Sequence, residues 1–186
     1  MDIEKIVLIG GVGSALNIAE QINDAHNKYN NSQQVIGLCV DSYSEGSNIN
    51  DIPVLCNTSN LNDFLNKYKE VKVLFNLFRP DLLKERHILL KNLKLQLNKF
   101  TNFLHPLAYC SNSVSIGTGN IIMSNTTLQS NIKILNFNII NSNVTIEHEA
   151  ILGEANFIAA NAVIGAKVNL GSHTFVGLNS SVRENI

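Results

Sequence analysis

A six-residue repeat runs through the carboxyl-terminal part of the chain, and it limits the possible fold more than any other feature of the sequence. An aliphatic residue returns at every sixth position: Ile116, Ile122, Leu128, Ile134, Ile140, Ile146, Leu152, Ile158, Ile164, Leu170, Val176 and Val182. A second row, four residues further on, carries mostly small or β-branched side chains. A period of six matches neither a helix nor a strand of ordinary length. It predicts a β-solenoid of short strands, whose corners need the positive φ angles that Gly and Asn supply.

The chain before residue 104 has a different pattern, in which apolar runs alternate with helical periodicity. Strands are predicted at 5–10, 34–41 and 71–76, and helices at 14–26, 61–68 and 79–93. Pro80 falls in the first turn of the last helix, where proline is tolerated. Strands that alternate with helices predict a parallel sheet with crossover helices. The sequence therefore divides into an α/β domain over 1–103 and a solenoid domain over 104–186.

Composition and charge exclude several classes of function. The 186 residues carry a formal net charge of -1, and no stretch combines clustered Lys and Arg with aromatic residues, so nucleic acid is not an expected partner. The first residues, MDIEKIVLIGG, lack the basic flank of a secretory signal and form too short an apolar run to span a bilayer. The sequence therefore predicts a cytoplasmic protein without membrane insertion.

The cysteines and most of the histidines give no sign of a metal site. Cys39, Cys56 and Cys110 are odd in number and widely spaced, which predicts buried free thiols instead of a disulfide framework or a metal knuckle. The scattered histidines are expected at the surface or at the domain junction: His26, His87, His105 and His173.

The stretch TIEHEAILG, residues 145–153, places an ionisable cluster inside the apolar repeat, with His148 between Glu147 and Glu149. A neutral imidazole is well suited to remove a proton at cytoplasmic pH, and a carboxylate beside it fixes its tautomer. Because consecutive strand residues point to opposite faces, Glu149 reaches His148 only if the chain turns between them. The alternative interpretation is a hydrated corner with no chemical role.

A glycine loop follows the first predicted strand and opens the first predicted helix. Gly11, Gly13 and Ser14 lie there, so backbone N–H groups at the helix start are available to a phosphate. Leu16 stands at the third glycine position of the dinucleotide fingerprint, which argues against NAD. A tight turn without a ligand is the alternative interpretation.

Four stretches together resemble the sialic-acid and bacillosamine branch of the hexapeptide-repeat sugar acyltransferases: IVLIGGVGSA, CVD, FLHPLA, and IEH followed by an acidic residue. The resemblance covers essentially the whole chain. It implies an α/β Rossmann-like half-domain followed by a left-handed parallel β-helix with three hexads per coil. It also implies an enzyme that transfers an acetyl group from acetyl-CoA to an amine or hydroxyl of a nucleotide-linked sugar, without a bound cofactor or metal. The placement of small residues and of His148 on one side of the solenoid predicts a homotrimer with active sites between protomers.

The same resemblance implies roles for individual residues. His148 is the general base and Glu149 assists it. The residues implied for the nucleotide sugar are Gly11, Gly13, Ser14 and Asp41, and those implied for coenzyme A are Phe157, Gly165, Ala166, Gly177 and Leu178. Three hexads per coil would also stack residues 18 apart, so Asn120, Asn138 and Asn156 are expected to form a ladder.

The sequence departs from that family at three positions. Ser14 stands where relatives have a histidine, Asp41-Ser42 where they have an acidic pair, and Phe157 where they have a second histidine. These departures leave the sugar open and keep a non-catalytic scaffold or sugar-binding protein as the alternative function. A zinc enzyme of the carbonic-anhydrase kind is disfavoured, because the nearest histidines in the repeat are His148 and His173. The repeat stops without a polar cap, so we expect further carboxyl-terminal residues that relatives use for coenzyme A.

Overall fold

A computed structural model describes residues 2–186. Two compact units are present. The first, the sheet unit, consists of the chain up to Leu77 together with Leu89–Thr101; the second, the β-helix unit, consists of Phe78–Ile88 and Asn102–Ile186. A single boundary in the sequence does not separate the two units, because residues 78–88 belong to the same unit as the repeat.

The sheet unit contains a five-stranded sheet. The elements before residue 101 are β1 (Glu4–Ile9), α1 (Ser14–Tyr29), β2 (Gln33–Cys39), β3 (Asn48–Ile49), β4 (Ile52–Cys56), α2 (Leu61–Lys67), β5 (Lys72–Phe75), α3 (Leu83–Asn92) and a short 3-10 helix (Leu97–Lys99). The strand order is β3-β4-β2-β1-β5. Every neighbouring pair is parallel except the antiparallel pair β3 and β4. The apolar run of β1 is buried from Ile6 to Ile9, as expected for a central parallel strand covered on both faces.

Two features of these elements differ from the prediction. The sequence does not predict β3 and β4, since both are short and only Asn50 and Asp51, at positive φ, join them in a tight turn. The placement of Pro80 in the first turn of α3 is wrong. The helix begins at Leu83, and a turn in which the Leu82 N–H donates to the Arg79 carbonyl precedes it. Proline fixes its own φ but does not fix where the helix starts.

The β-helix unit consists of two-residue strands that recur every six residues: β6 (Phe103–Leu104), β7 (Tyr109–Cys110), β8 (Ser115–Ile116), β9 (Ile121–Ile122), β10 (Thr127–Leu128), β11 (Lys133–Ile134), β12 (Ile139–Ile140), β13 (Thr145–Ile146), β14 (Ile151–Leu152), β15 (Phe157–Ile158), β16 (Val163–Ile164), β17 (Asn169–Leu170), β18 (Phe175–Val176) and β19 (Ser181–Val182). They form three parallel sheets. Sheet 1 contains β7, β10, β13, β16 and β19; sheet 2 contains β8, β11, β14 and β17; sheet 3 contains β6, β9, β12, β15 and β18.

The register confirms that three hexads make one coil. Partners in each sheet are one coil apart, as in the column Leu128, Ile146 and Ile164. The predicted aliphatic row packs into the interior together with small residues of the second row, such as Val144 and Ala162. Many short parallel strands in stacked sheets fit the expected left-handed β-helix. The repeat begins earlier than predicted, because Leu104 and Cys110 pack against the same core.

Each coil has three edges, named after the sheets that they join. Edge 1–2 comprises residues 129–132, 147–150, 165–168 and 183–186; edge 2–3 comprises 117–120, 135–138, 153–156 and 171–174; edge 3–1 comprises 123–126, 141–144, 159–162 and 177–180. The third residue of each of these corners is left-handed, with φ between 54° (Ala155) and 75° (Gly119). Gly or Asn occupies most of these positions, as sterics favour. The exceptions are Phe137, Glu149, Ala155, Lys167 and His173.

The predicted asparagine ladder lies inside edge 2–3. The backbone N–H groups of Asn138 and Asn156 donate to Oδ1 of the asparagine one coil earlier, at 2.9 and 3.0 Å. Asn138 Nδ2 also donates to Asn120 Oδ1 at 3.0 Å. The ladder extends further than predicted, to Asn102 before it and Thr174 after it. The three central asparagines are fully buried, and the ladder pairs their Oδ1 atoms, whose burial would otherwise be costly. Within residues 2–186, Asn156 Nδ2 has no partner.

Residues 78–88 contact the outside of edge 2–3 through His87. Nδ1 of His87 lies 2.7 Å from Nε2 of His173, and its ring packs against Phe137 with centroids 6.1 Å apart. Glu154 Oε2 lies 4.0 Å from His87 Nε2. Of the two positions expected for His87, the surface is wrong, because this side chain is buried against the β-helix; the chain returns to the sheet unit two residues later, at Leu89. Edge 2–3 is therefore occupied by the chain's own residues.

We expect Asn138→Ala to lower the free energy of unfolding by about 1–3 kcal/mol, because buried partners in the ladder lose their hydrogen bonds. Chemical denaturation followed by circular dichroism measures this loss. Asn112→Ala is the matched control: Asn112 is exposed, so its replacement should cost less than about 0.5 kcal/mol. Equal losses in the two variants would contradict a stabilising role for the ladder.

Candidate active site

His148 and Glu149 meet at edge 1–2, directly after β13. Nδ1 of His148 lies 3.1 Å from Glu149 Oε1, and the two side chains are 47% and 49% exposed. Glu149 has a φ of 63°, so the chain turns between the two residues. Glu149 was expected to reach His148 only if the chain turns between them, and the structure contains this turn. The structure therefore brings an imidazole and a carboxylate together at a hydrated corner.

The conformation of Glu149 carries a cost that burial does not offset. A left-handed residue other than Gly, Asn or Asp costs roughly 1–2 kcal/mol. Phe137 and Ala155 depart from the Gly/Asn rule but are buried, whereas Glu149 and Lys167 are exposed. The Glu149 carboxylate lies against His148, and this contact, made at a conformational cost without burial, favours a role in chemistry over a role in folding.

Two of the residues implied for coenzyme A share the edge of His148. Gly165 and Ala166 follow β16, one coil after His148, and the next residue, Lys167, donates its N–H to the His148 carbonyl oxygen at 3.0 Å. A Cβ on Gly165 would lie 2.6 Å from Glu184 N. Glycine is therefore required at this position by the stacking of the coils, whether or not a ligand binds there.

The other three residues implied for coenzyme A lie elsewhere on the coil. Gly177 and Leu178 lie at edge 3–1, and Phe157 lies in sheet 3 with its ring centroid 5.9 Å from that of Phe175. Leu178 is 69% exposed and Phe175 is 46% exposed. Within one chain, sheet 1 separates edge 3–1 from edge 1–2. A single chain therefore does not bring all five residues to His148.

The glycine loop of the sheet unit joins β1 to the amino end of α1. Gly13 is the N-cap, with φ 66° and ψ -122°, and neither a capping side chain nor an acidic residue in the first turn occupies this end of the helix in the described part of the chain. Gly11 has a packing role, because a Cβ there would lie 2.6 Å from Val40 Cγ2. An uncapped helix start with free N–H groups is suited to bind an anion.

Asn76 is a residue of this region that sequence reasoning missed. It follows β5, and its N–H donates to the Ile9 carbonyl oxygen at 2.9 Å. Its Nδ2 donates to Ser14 Oγ at 3.0 Å, and the side chain is buried. The available signal was a polar residue directly after a buried strand, since the carboxyl ends of parallel strands are where open α/β sheets bind ligands.

Asp41 is engaged with its own neighbourhood. Its Oδ1 accepts the Thr58 N–H at 2.7 Å and its Oδ2 accepts the Thr58 hydroxyl at 2.8 Å. The carboxylate therefore holds together the loops that follow β2 and β4. Its predicted contact with a nucleotide sugar stays a prediction.

The cysteines are free, as expected, but two of them are neighbours. Cys39 and Cys56 are partners across β2 and β4 and are buried, whereas Cys110 is half-buried. A hydrogen bond with Cys56, together with burial, raises the pKa of Cys39 far above its usual range. Burial also raises the pKa of Cys110. Cys39 and Cys110 are therefore protonated and poor nucleophiles at neutral pH.

Within residues 2–186, no three His, Cys, Asp or Glu side chains are arranged to hold a metal ion. His105 is buried, and its Nδ1 accepts the Leu107 N–H at 3.1 Å, which gives it a structural role. None of the helices described has the length and apolar character needed to cross a membrane.

Solved structures of similar fold share this architecture over nearly the whole chain. A His-to-Asn variant of perosamine N-acetyltransferase from Caulobacter crescentus, in complex with CoA and GDP-perosamine, is 20% identical with a TM-score of 0.67, over 97% of this chain and 89% of that one. WeeI from Acinetobacter baumannii AYE is 20% identical with a TM-score of 0.64, over 98% and 90%. The acetyltransferase domain of PglB from Neisseria gonorrhoeae FA1090, in complex with acetyl coenzyme A, is 18% identical with a TM-score of 0.56, over 97% and 85%.

The chain has the fold of these proteins. The resemblance found in the sequence is thus confirmed at the level of the fold. No family model matches the chain, and no curated protein matches it in sequence.

We expect Glu149→Asn to leave the free energy of unfolding unchanged or to raise it by up to about 1 kcal/mol, because Asn tolerates the left-handed conformation. Asn already occupies this position one coil earlier, at Asn131. Glu184→Asn is the control, since Glu184 lies at the same edge without a positive φ. A clear loss of stability in Glu149→Asn, measured by chemical denaturation, would show that Glu149 is kept for folding.

Proposed function

We propose that the protein is an acetyltransferase that moves the acetyl group of acetyl-CoA to an amine or hydroxyl of a nucleotide-linked sugar, with His148 as the general base. The observation that carries the proposal is the pair His148–Glu149, exposed at an edge of a hexapeptide β-helix. The solved structures support it: the Caulobacter enzyme binds CoA and GDP-perosamine, and the PglB domain binds acetyl coenzyme A. Since acetyl-CoA is a cytoplasmic metabolite, we place the reaction in the cytoplasm.

The geometry of the pair assigns the two ring nitrogens. Nδ1 faces the Glu149 carboxylate, so in the neutral ring Nδ1 carries the proton and donates it to the carboxylate. The lone pair of Nε2 is then free to accept a proton from the acceptor group of the sugar. Glu149 holds this tautomer and stabilises the imidazolium that forms.

The reaction follows from this arrangement. The acceptor nitrogen or oxygen attacks the thioester carbonyl carbon while Nε2 of His148 takes its proton, which forms a tetrahedral intermediate. Collapse of the intermediate breaks the carbon–sulfur bond. The proton on His148 then neutralises the departing thiolate. The products are the acetylated sugar and free coenzyme A, and His148 returns to its neutral form.

The sheet unit is the proposed Rossmann-like site for the nucleotide part of the acceptor. The uncapped start of α1 offers N–H groups to a diphosphate, with Gly13 and Ser14 at the contact. Because Gly11 has no side chain, the loop can lie against Val40. Asp41 is the next residue after Val40 in the chain. Oxygen atoms of Asp41 still have lone pairs for a ribose or base donor after both bonds to Thr58.

The edges of the β-helix favour a homotrimer. Edge 2–3 is covered by the chain's own His87, which leaves edge 1–2, with His148, Gly165 and Ala166, and edge 3–1, with Gly177 and Leu178. A three-fold arrangement brings edge 1–2 of one copy beside edge 3–1 of the next. Exposed Leu178 and the half-buried Phe157 then face the coenzyme A that one edge alone cannot enclose.

We expect His148→Ala to lower kcat by roughly 10²–10⁴ with little change in KM, because proton transfer contributes in the transition state and not in ground-state binding. Glu149→Gln should cost less, since it only removes the charge that supports the base. Free coenzyme A release, followed with a thiol reagent, measures both rates.

Two controls accompany these variants. Glu147→Gln removes the carboxylate on the other side of His148 and should keep the wild-type rate. The melting temperatures of all three variants should match the wild type. Wild-type turnover by His148→Ala would rule out the proposed base, and absence of turnover in the wild type with every acceptor would favour the non-catalytic scaffold.

The assembly is tested by light scattering on a size-exclusion column. We expect a mass of three chains of 20.5 kDa each at micromolar concentration. Leu178→Asp should keep this mass and weaken coenzyme A binding, because it places a charge in the proposed coenzyme A groove between two copies. A monomeric wild-type protein would contradict the assembly.

A further inference from the structure

A buried hydrogen-bond acceptor lies unpaired beside the glycine loop. Asn76 is 4% exposed, and within residues 2–186 its Oδ1 accepts no hydrogen bond. Its other amide atom, Nδ2, donates to Ser14 Oγ at 3.0 Å. Buried polar side-chain atoms in proteins nearly always have a partner. The free Oδ1 therefore calls for a donor that the chain itself does not provide.

The position of Asn76 points to a ligand at this end of the sheet. The Gly10 N–H donates to the Cys39 carbonyl at 3.0 Å, and the Asn76 N–H donates to the Ile9 carbonyl at 2.9 Å. These bonds bring together the carboxyl ends of β1, β2 and β5, where open α/β sheets bind their ligands. Ser14 is the first residue of α1, whose amino end has no side-chain cap. Two independent features, an uncapped helix start and an unpaired buried acceptor, thus meet at Ser14.

The hydrogen bonds at this point define what the ligand must offer. Ser14 Oγ accepts from Asn76 Nδ2, so its own hydroxyl proton is available to an acceptor on the ligand. The N–H groups at the start of α1 also require an acceptor, preferably an anion. Asn76 Oδ1 requires a donor. A ligand that satisfies all three has a phosphate with a hydroxyl group close to it.

We propose that Asn76 is a specificity residue of the nucleotide-sugar site, whose Oδ1 accepts a hydrogen bond from a hydroxyl of the ligand while Ser14 and the start of α1 bind the neighbouring phosphate. The inference rests on the proposed function. The hydroxyl belongs to the ribose or to the sugar, which flank the diphosphate on opposite sides. Asn76 orients the ligand and does not touch the reacting atoms.

Three probes separate these contributions in calorimetric titrations: GDP carries the ribose hydroxyls, glucosamine 1-phosphate carries the sugar hydroxyls, and inorganic pyrophosphate carries neither. We expect Asn76→Ala to raise Kd roughly three- to tenfold for GDP or for glucosamine 1-phosphate, as the loss of one hydrogen bond predicts. The affected probe identifies the source of the hydroxyl. Kd for pyrophosphate should change less than about twofold, whereas Ser14→Ala should weaken all three probes.

Stability provides the readout that separates binding from structure. Asn76→Ala removes the unpaired Oδ1 together with the hydrogen bond from Nδ2 to Ser14 Oγ, so it should lower the melting temperature of the ligand-free protein no more than the control variant does. The matched control is Asn23→Ala, since Asn23 Oδ1 accepts the Val35 N–H at 2.9 Å; this variant should melt earlier and keep the wild-type Kd values. The isosteric Asn76→Asp keeps the shape but adds a negative charge, and it should weaken all three phosphate-bearing probes.

The outcomes distinguish the two proposals. Unchanged Kd values in Asn76→Ala, or an equal change for pyrophosphate and the other probes, would overturn the role of Asn76 and leave the proposed function in place. A wild-type protein that binds none of the three probes would overturn both this inference and the nucleotide-sugar site.

Discussion

The left-handed residue at the third position of each corner from residue 117 onwards is the constraint on which the rest of the β-helix depends. It recurs every six residues from Gly119 to Asn185, and it bends the chain so that two-residue strands stack into three sheets. The stacking places the aliphatic row inside and the asparagine ladder within one edge. Few residue types adopt this conformation at a low energetic cost. A residue of another type at this position therefore needs an explanation in packing or in function.

Glu149 is the most informative of these residues. Phe137 and Ala155 gain burial, and His173 gains a partner in His87. Glu149 and Lys167 remain exposed, and the Glu149 side chain lies beside His148. The same turn that costs conformational energy aims the carboxylate at the imidazole. The geometry of the corner and the proposed chemistry of the base therefore have one origin. Residues 78–88 cover edge 2–3, and the two remaining edges are those at which we propose that coenzyme A and a second copy bind.

The repeat was predictable in detail because its information is local. The spacing of aliphatic residues gives the coil, and residues one coil apart pair as the columns require. The contacts that the sequence did not reveal join residues far apart in the chain: Asn76 with Ser14, separated by 62 positions, and His87 with His173, separated by 86. The separation of His148 from Leu178 within one chain was not stated from the sequence, although it follows from counting hexads around the coil.

The account places the reaction where edge 1–2 of one copy meets edge 3–1 of another, and subunit complementation tests this claim most directly. Two inactive variants, His148→Ala and Leu178→Asp, are co-expressed with different tags, and mixed trimers carrying both tags are purified and assayed for coenzyme A release. Every mixed trimer contains one junction at which an intact His148 edge lies beside an intact Leu178 edge, so about a third of the sites are intact. We predict recovery of about a third of wild-type activity, and mixed trimers as inactive as the separate variants would contradict this assembly.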